Sequence, residues 1–211
     1  MRSYINLQQR EQLLIQAQKM FTTHGIKNLT MDMIAKSLKM SKKTIYVMVR
    51  DKSDLVREVI ERYIQEEIKM FTEFRGKTEN PLHELVLVIN RALEQTEGFN
   101  PETLFDMQRH YPESYKLFIN HRNTFLYQQL VANMQDGVEQ GYFRANLKTD
   151  IIAKIYTGQL QILVDQSLFP AAKYPFVSIL KEYLDYHLRA IVTAKGLEEL
   201  ARQKELHRVK I

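Results

Sequence analysis

Apolar residues recur every three or four positions along most of the chain, which predicts helices rather than strands. Near the N-terminus Leu13, Ala17 and Phe21 share one helical face. Gly25 follows where a left-handed residue would end that helix, and Thr30 is placed to cap the next one. Glycine and proline are scarce, and strand-like alternation is hard to find. We therefore predict an all-α chain.

The segment from Met31 to Val49 has the layout of a helix–turn–helix. The first helix would turn Ile34 and Ala35 inward, Lys39 would lie in the turn, and Ser41 would cap the second helix. The outer face of that second helix is polar and basic, and the major groove of B-DNA admits a helix of this size. Hydroxyl and ammonium groups suit phosphate oxygens, and lysine also reaches guanine edges. The predicted DNA contacts are Thr30, Ser41, Lys42, Lys43, Thr44 and Tyr46. A basic helical hairpin without a ligand is the alternative.

The distribution of charge supports the same interpretation. Residues 1–52 hold ten Lys/Arg and three Asp/Glu, whereas residues 53–211 hold twenty and twenty-two. A local excess of positive charge attracts phosphate backbones.

The chain contains no cysteine, which excludes disulfides and thiolate metal sites. No apolar run resembles a signal peptide or a bilayer span, so we expect a soluble cytoplasmic protein.

Residues 8–60 resemble the N-terminal domain of the TetR family of helix–turn–helix transcriptional regulators. The similarity lies in an Ala and a Phe before Gly25, then Ile34-Ala35, Ser41, Thr44-Ile45-Tyr46 and the Lys52 to Leu55 segment. The resemblance implies an N-terminal helix–turn–helix domain (1–56) and a larger C-terminal helical domain for ligand binding and dimerisation (57–211). It also implies that Lys52 contacts phosphate. The chain departs from the family pattern at Lys39, Lys43, Met48 and Val49, which affects the operator sequence that it would prefer.

Two later helices are apolar on more than one side, and a helix of this kind must bury both sides. One side can face the core of its own chain and the other a second subunit, or both can be buried within a monomer. The resemblance implies a homodimer, and hence a palindromic operator of double-stranded DNA. The predicted dimer interface consists of Ile155, Leu163, Leu180, Leu184, Leu188 and Ile191.

The middle of the chain is rich in aromatic and imidazole side chains, and the resemblance implies a pocket there for an unknown small molecule. The candidates are Phe105, His110, Tyr111, Phe118, His121 and Phe125, although each taken alone fits a core position. No catalytic, cofactor or helical metal motif is found, so we predict a regulator that is not an enzyme and needs no cofactor or metal. Two alternatives are an interaction protein with non-specific DNA affinity and a small-molecule-binding protein or enzyme with an incidental basic head.

Overall fold

A computed structural model describes residues 2–206, with side chains from residue 7 onward. Its regular elements in that range are α1 (Arg2–His24), α2 (Met31–Ser37), α3 (Lys42–Met48), α4 (Lys52–Arg75), α5 (Pro81–Gln95), α6 (Glu102–His110), α7 (Pro112–His121), a π-helical turn (Arg122–Leu126), α8 (Tyr127–Glu139), α9 (Thr149–Gly158), α10 (Leu160–Leu163), α11 (Phe176–Ile191) and α12 (Ala194–Glu205). The only strand-like pairing among these residues is one isolated bridge between Phe143 and Val192. The predicted all-α class is confirmed.

The described residues form two compact units. The first comprises the chain up to residue 66 together with residues 100–120. The second comprises residues 67–99 and the chain from residue 121 onward. The segment 100–120 therefore packs with the N-terminal helices. The functional division after residue 56 stays a prediction, because compact packing does not itself say which residues bind DNA.

Local capping explains the start and end of the short N-terminal helices. Gly25 has a φ of 76° and ends α1, as its position in the sequence predicts. The hydroxyl of Thr30 accepts from the amide of Met33 at 3.2 Å and caps α2. The hydroxyl of Ser41 accepts from the amide of Thr44 at 3.1 Å and caps α3. Both predicted caps are confirmed.

The core of the second unit is built mainly by α5, α8, α9 and α11. The helical segment that begins at Pro112 consists of α7, the π-helical turn and α8. Helix α9 ends at Gly158, and only the short α10 follows before Pro170. None of the described helices is long and apolar enough to cross a membrane.

The C-terminal part holds one further helix, α12, in which Leu197, Leu200 and Ala201 have helical spacing. Gly196 lies in the first turn of this helix. A Cβ at this position would lie 2.4 Å from the carbonyl oxygen of Tyr142, so the close approach of two backbones requires glycine there. Residues 207–211 lie outside the described part of the chain.

Candidate functional site

The turn between α2 and α3 is a Schellman motif built around a lysine. Lys39 has a φ of 54°, and among the described residues it is the single non-glycine with a positive φ. Its amide donates to the carbonyl of Lys36 at 3.1 Å, and the amide of Met40 donates to that of Ala35 at 3.0 Å. The left-handed conformation costs an L-residue about 1–2 kcal/mol. The turn therefore keeps a glycine-type geometry although a lysine occupies it.

Helix α3 presents a polar and basic outer face. Ile45 is fully buried on the inner side, whereas Lys42 and Lys43 are exposed. Tyr46 exposes 44% of its surface. The remaining predicted contacts also lie at this surface, since Thr30 and Ser41 are exposed and Thr44 is half-buried. All six candidates thus lie on or next to the helix–turn–helix, and their contact with DNA stays a prediction.

Sequence reasoning missed Val47, which exposes 70% of its surface on the same helix. It follows Lys43 by four residues, so the two share one face of α3. The signal was present, because a residue two positions after the inward Ile45 must point away from the core. An exposed apolar side chain of this kind is suited to contact the methyl group of thymine.

Lys42 is already paired with an acidic residue of α2. Its Nζ lies 3.0 Å from Oδ2 of Asp32, and both side chains are at least half exposed. The hydrogen bond to Asp32 raises the pKa of Lys42. An exposed pair of this type contributes little stability, so DNA phosphate can replace Asp32 at small cost.

Lys52 points toward the loop between α1 and α2. Its Nζ donates to the carbonyls of Ile26, at 2.6 Å, and Leu29. Burial lowers the pKa of Lys52, against an opposing effect of Asp106. Oδ2 of Asp106, in α6, accepts from the amides of Ile26 and Lys27 at 2.8 and 2.7 Å. The two side chains hold one loop, and a phosphate contact by Lys52 stays a prediction.

The predicted dimer residues divide into buried and exposed positions. Leu184, Leu188 and Ile191 each expose 1% and pack in the core of the second unit. Whether these three belong to a dimer interface or only to the core of one chain stays a prediction. Leu163 is also buried, whereas Leu180 is half-buried and Ile155 exposes 45%. Other exposed apolar side chains on or beside these helices are Ile151, Ile162 and Tyr186.

The six predicted ligand residues are not brought together within one unit. Phe105, His110, Tyr111 and Phe118 belong to the first unit, where Phe105 and His110 are exposed. His121 and Phe125 belong to the second, with their rings stacked at 5.1 Å between centroids. His121 Nε2 lies 2.5 Å from Oε2 of Glu67.

Sequence reasoning also missed a cluster of three polar aromatic side chains in the interior of the second unit, formed by Tyr156, Tyr183 and His187. Tyr156 of α9 packs against Tyr183 and His187 of α11, with ring centroids 6.2 and 5.3 Å away. Burial raises the pKa of Tyr156 to about 12, raises that of Tyr183, and lowers that of His187 to about 4. Tyr183 Oη and His187 Nε2 are buried without a hydrogen-bond partner. The i, i+4 spacing of Tyr183 and His187 was the available signal.

Within the described residues, no group of three or more His, Asp or Glu side chains could hold a metal ion. The geometry accordingly offers a nucleic-acid surface on α2 and α3 and a polar interior in the second unit. A basic helix–turn–helix joined to a larger helical unit defines a DNA-binding protein of the transcription-regulator class.

Comparison with known proteins finds a family match over the N-terminal part of the chain. Residues 13–59 match the family described as bacterial regulatory proteins, tetR family. The chain is also 24% identical over 146 residues to the HTH-type transcriptional repressor KstR2 of Mycobacterium tuberculosis, covering 68% of this chain and 73% of that protein. The N-terminal part of the chain thus matches the TetR family, and the chain is similar to a transcriptional repressor.

Solved structures support the fold over most of the chain. A TetR-family regulator from Agrobacterium tumefaciens aligns with a TM-score of 0.72 and 19% identity, over 89% of this chain and all of that one (100%). The regulator FadR of Bacillus subtilis, in complex with stearoyl-CoA, aligns with a TM-score of 0.61 and 16% identity, over 84% and 96%. At these identities the likeness concerns the fold alone.

Proposed function

We propose that the chain represses transcription as a homodimer that binds a palindromic operator and is released from it by a small-molecule ligand. The observation that carries the proposal is the surface of α3, where Lys42, Lys43 and Tyr46 surround a buried Ile45. A helix of this kind can enter the major groove with its lysines and hydroxyls toward DNA. The family and the repressor relative support the same function.

Dimerisation is the second part of the proposal. Ile155 leaves much of its surface exposed, as do Ile151 and Ile162. Apolar side chains at this exposure are suited to a second copy of the same helices. A two-fold dimer presents two copies of α3 to successive major-groove faces, which requires two inverted half-sites in the operator.

Ligand control is the third part. The FadR structure holds stearoyl-CoA, which shows that this fold can hold a ligand in that protein. A ligand releases DNA only if it binds the DNA-free arrangement more tightly than the DNA-bound one. In this chain, the polar interior of the second unit offers groups that could make that distinction.

The test of DNA binding uses the purified chain, DNA that flanks its own gene, and a scrambled sequence of the same length. The flanking DNA should bind preferentially, with affinity falling steeply as salt rises. Replacing Lys42 and Lys43 with Gln should flatten the salt dependence by roughly 0.9 in log–log slope for each phosphate contact removed. The matched control replaces the exposed Lys69 and Lys181 with Gln, which removes the same charge elsewhere.

The outcomes separate the proposed function from its alternatives. Equal affinity for both DNAs would favour an interaction protein with non-specific DNA affinity. No binding to either at low salt would reject α3 as a recognition helix.

For the dimer, Ile155→Asp should yield monomer by light scattering, whereas Leu197→Asp on α12, at similar exposure, should not. If light scattering gives the same molar mass for the two variants, Ile155 is excluded from the dimer interface.

A further inference from the structure

Two of the buried polar atoms without a hydrogen-bond partner in the second unit lie one helical turn apart. They are Oη of Tyr183 and Nε2 of His187, and both atoms are inaccessible to solvent. His187 as a whole exposes 8% of its surface. A buried polar atom without a partner is destabilising, and native structures contain few of them. Two such atoms on neighbouring rings therefore require an explanation.

The surroundings of these two atoms are aromatic on one side. The rings of Tyr183 and His187 lie 5.8 Å apart, and Tyr156 packs against both. The ring of Tyr156, on α9, thus lies beside the side chains that carry the two unpartnered atoms. Aromatic walls with a small number of polar atoms are typical of sites for small apolar molecules.

A backbone irregularity occurs in the same unit and concerns a residue close to these tyrosines. Arg122 opens the π-helical turn, and its Nη2 donates to the carbonyl of Thr157, the residue after Tyr156, at 3.1 Å. π-helical turns are rare and are frequently found at functional sites. The turn thereby ties its guanidinium group to α9 beside the aromatic wall.

Both a positive and a negative side chain lie near Tyr156, Tyr183 and His187. Arg122 carries a positive charge, and Glu67 a carboxylate that contacts His121. Both act electrostatically on Tyr156, in opposite directions. The two unpartnered atoms themselves belong to side chains that burial keeps uncharged near neutral pH. Arg122 also acts on Tyr183, but its guanidinium already donates to the carbonyl of Thr157, and Glu67 opposes its charge at Tyr156. A neutral oxygen, by contrast, would need only a hydrogen bond.

We infer that Tyr156, Tyr183 and His187 form the recognition end of the ligand site, and that they bind an uncharged, largely apolar molecule through one hydroxyl or carbonyl oxygen. Tyr183 Oη donates a hydrogen bond to that oxygen, and His187 Nε2 donates or accepts according to its tautomer. The ring of Tyr156 covers the adjoining apolar part. This assignment rests on the proposed ligand-responsive function and specifies the chemistry of the ligand.

The first test needs no ligand. Removing a hydroxyl that has no partner should stabilise the free protein, so Tyr183→Phe should lower the equilibrium constant for unfolding by about tenfold. The control is Tyr186→Phe, on the same helix but 71% exposed, which should leave the constant unchanged. If Tyr183→Phe instead unfolds more easily than the parent, the hydroxyl has a partner such as an ordered water, and the inference is overturned.

The second test measures binding of four probes by ligand-observed NMR without DNA: cyclohexanone, cyclohexanol, methylcyclohexane and cyclohexanecarboxylate. The ketone and the alcohol should bind more tightly than methylcyclohexane and the carboxylate. Tyr183→Phe should weaken the ketone and the alcohol by about tenfold and leave methylcyclohexane unchanged. Equal binding of all four probes, tighter binding of the carboxylate, or binding of none would overturn the inference.

This design separates the site from the proposed function. Discrimination between the probes without any effect on operator binding would retain the site and reject ligand-controlled repression. A compound that releases DNA could bind the Tyr183→Phe variant and the parent with equal affinity. That result would retain ligand-controlled repression and reject the site at Tyr183.

Discussion

Protonation of His187 should make the protein sensitive to mild acid. Burial lowers the pKa of this imidazole from its ordinary 6.5 to about 4, because the charged form is poorly solvated inside the second unit. Between these two values the unfolded chain binds a proton that the folded chain does not. Stability then rises with pH, and it is lost as the pH falls from 6.5 through about 4.

The size of the effect follows from the two pKa values. A difference of about 2.5 pH units at about 1.36 kcal/mol each gives about 3 kcal/mol in the free energy of unfolding. The side chain exposes only 8%, so solvent screening reduces this little. A loss of this size is a large part of the stability of an ordinary domain.

The assay compares guanidinium unfolding of the parent and of His187→Phe across that pH range. The phenyl ring keeps a buried ring in place but binds no proton, so the variant should lose about 3 kcal/mol less than the parent on acidification. The exposed His24→Gln is the matched control for loss of a histidine and should behave like the parent. An NMR titration of the His187 ring reports the same pKa directly. Identical pH slopes for the parent and His187→Phe would refute the argument.

Three further predictions concern a residue at positive φ, a closely packed glycine and a carboxylate that accepts hydrogen bonds from a loop. Lys39→Gly should raise the free energy of unfolding by about 0.5–1 kcal/mol, since relief of roughly 1–2 kcal/mol at positive φ exceeds the added freedom of the unfolded chain; unchanged stability on denaturant unfolding would contradict a strained turn. Gly137→Ala should destabilise by about 1–3 kcal/mol, because its Cβ would lie 2.1 Å from the ring of Phe143, and a melting temperature equal to that of the parent would argue against this packing. Asp106→Ala should cost about 1–3 kcal/mol and weaken operator binding, because two loop amides ahead of α2 lose their acceptor; full affinity in a gel-shift titration would show that the loop does not need this anchor.

The helix–turn–helix could be predicted from the sequence because its determinants are local. Thr30 and Ser41 each cap a helix through an amide three residues away. The alternation of buried and exposed residues over one short helix likewise places Ile45 inward and Lys43 outward. The position of Lys39 in the turn was likewise predicted from neighbouring residues, and its φ of 54° lies in the left-handed region.

The remaining features depend on contacts between distant residues, which periodicity does not report. Asp106 meets the loop amide of Ile26 across 80 positions of the chain. Leu184 and Leu188 lie on a helix that is apolar on two sides, and only the fold shows that both pack in the core of the second unit. Tyr156 and His187 come from different helices, so their contact required the fold.

Chain continuity connects the two candidate sites. Lys52, which holds the loop ahead of α2, is the first residue of α4, and Glu67 lies further along the same helix. His121, the partner of Glu67, ends α7 and directly precedes the π-helical turn. Helix α7 itself follows α6, which carries Asp106. In the proposed ligand control, the effect of a ligand at the π-helical turn or Glu67 would be carried along these two chain segments. Under that proposal, a ligand that prefers the DNA-free arrangement would lower the affinity of the chain for DNA by the ratio of its own two affinities.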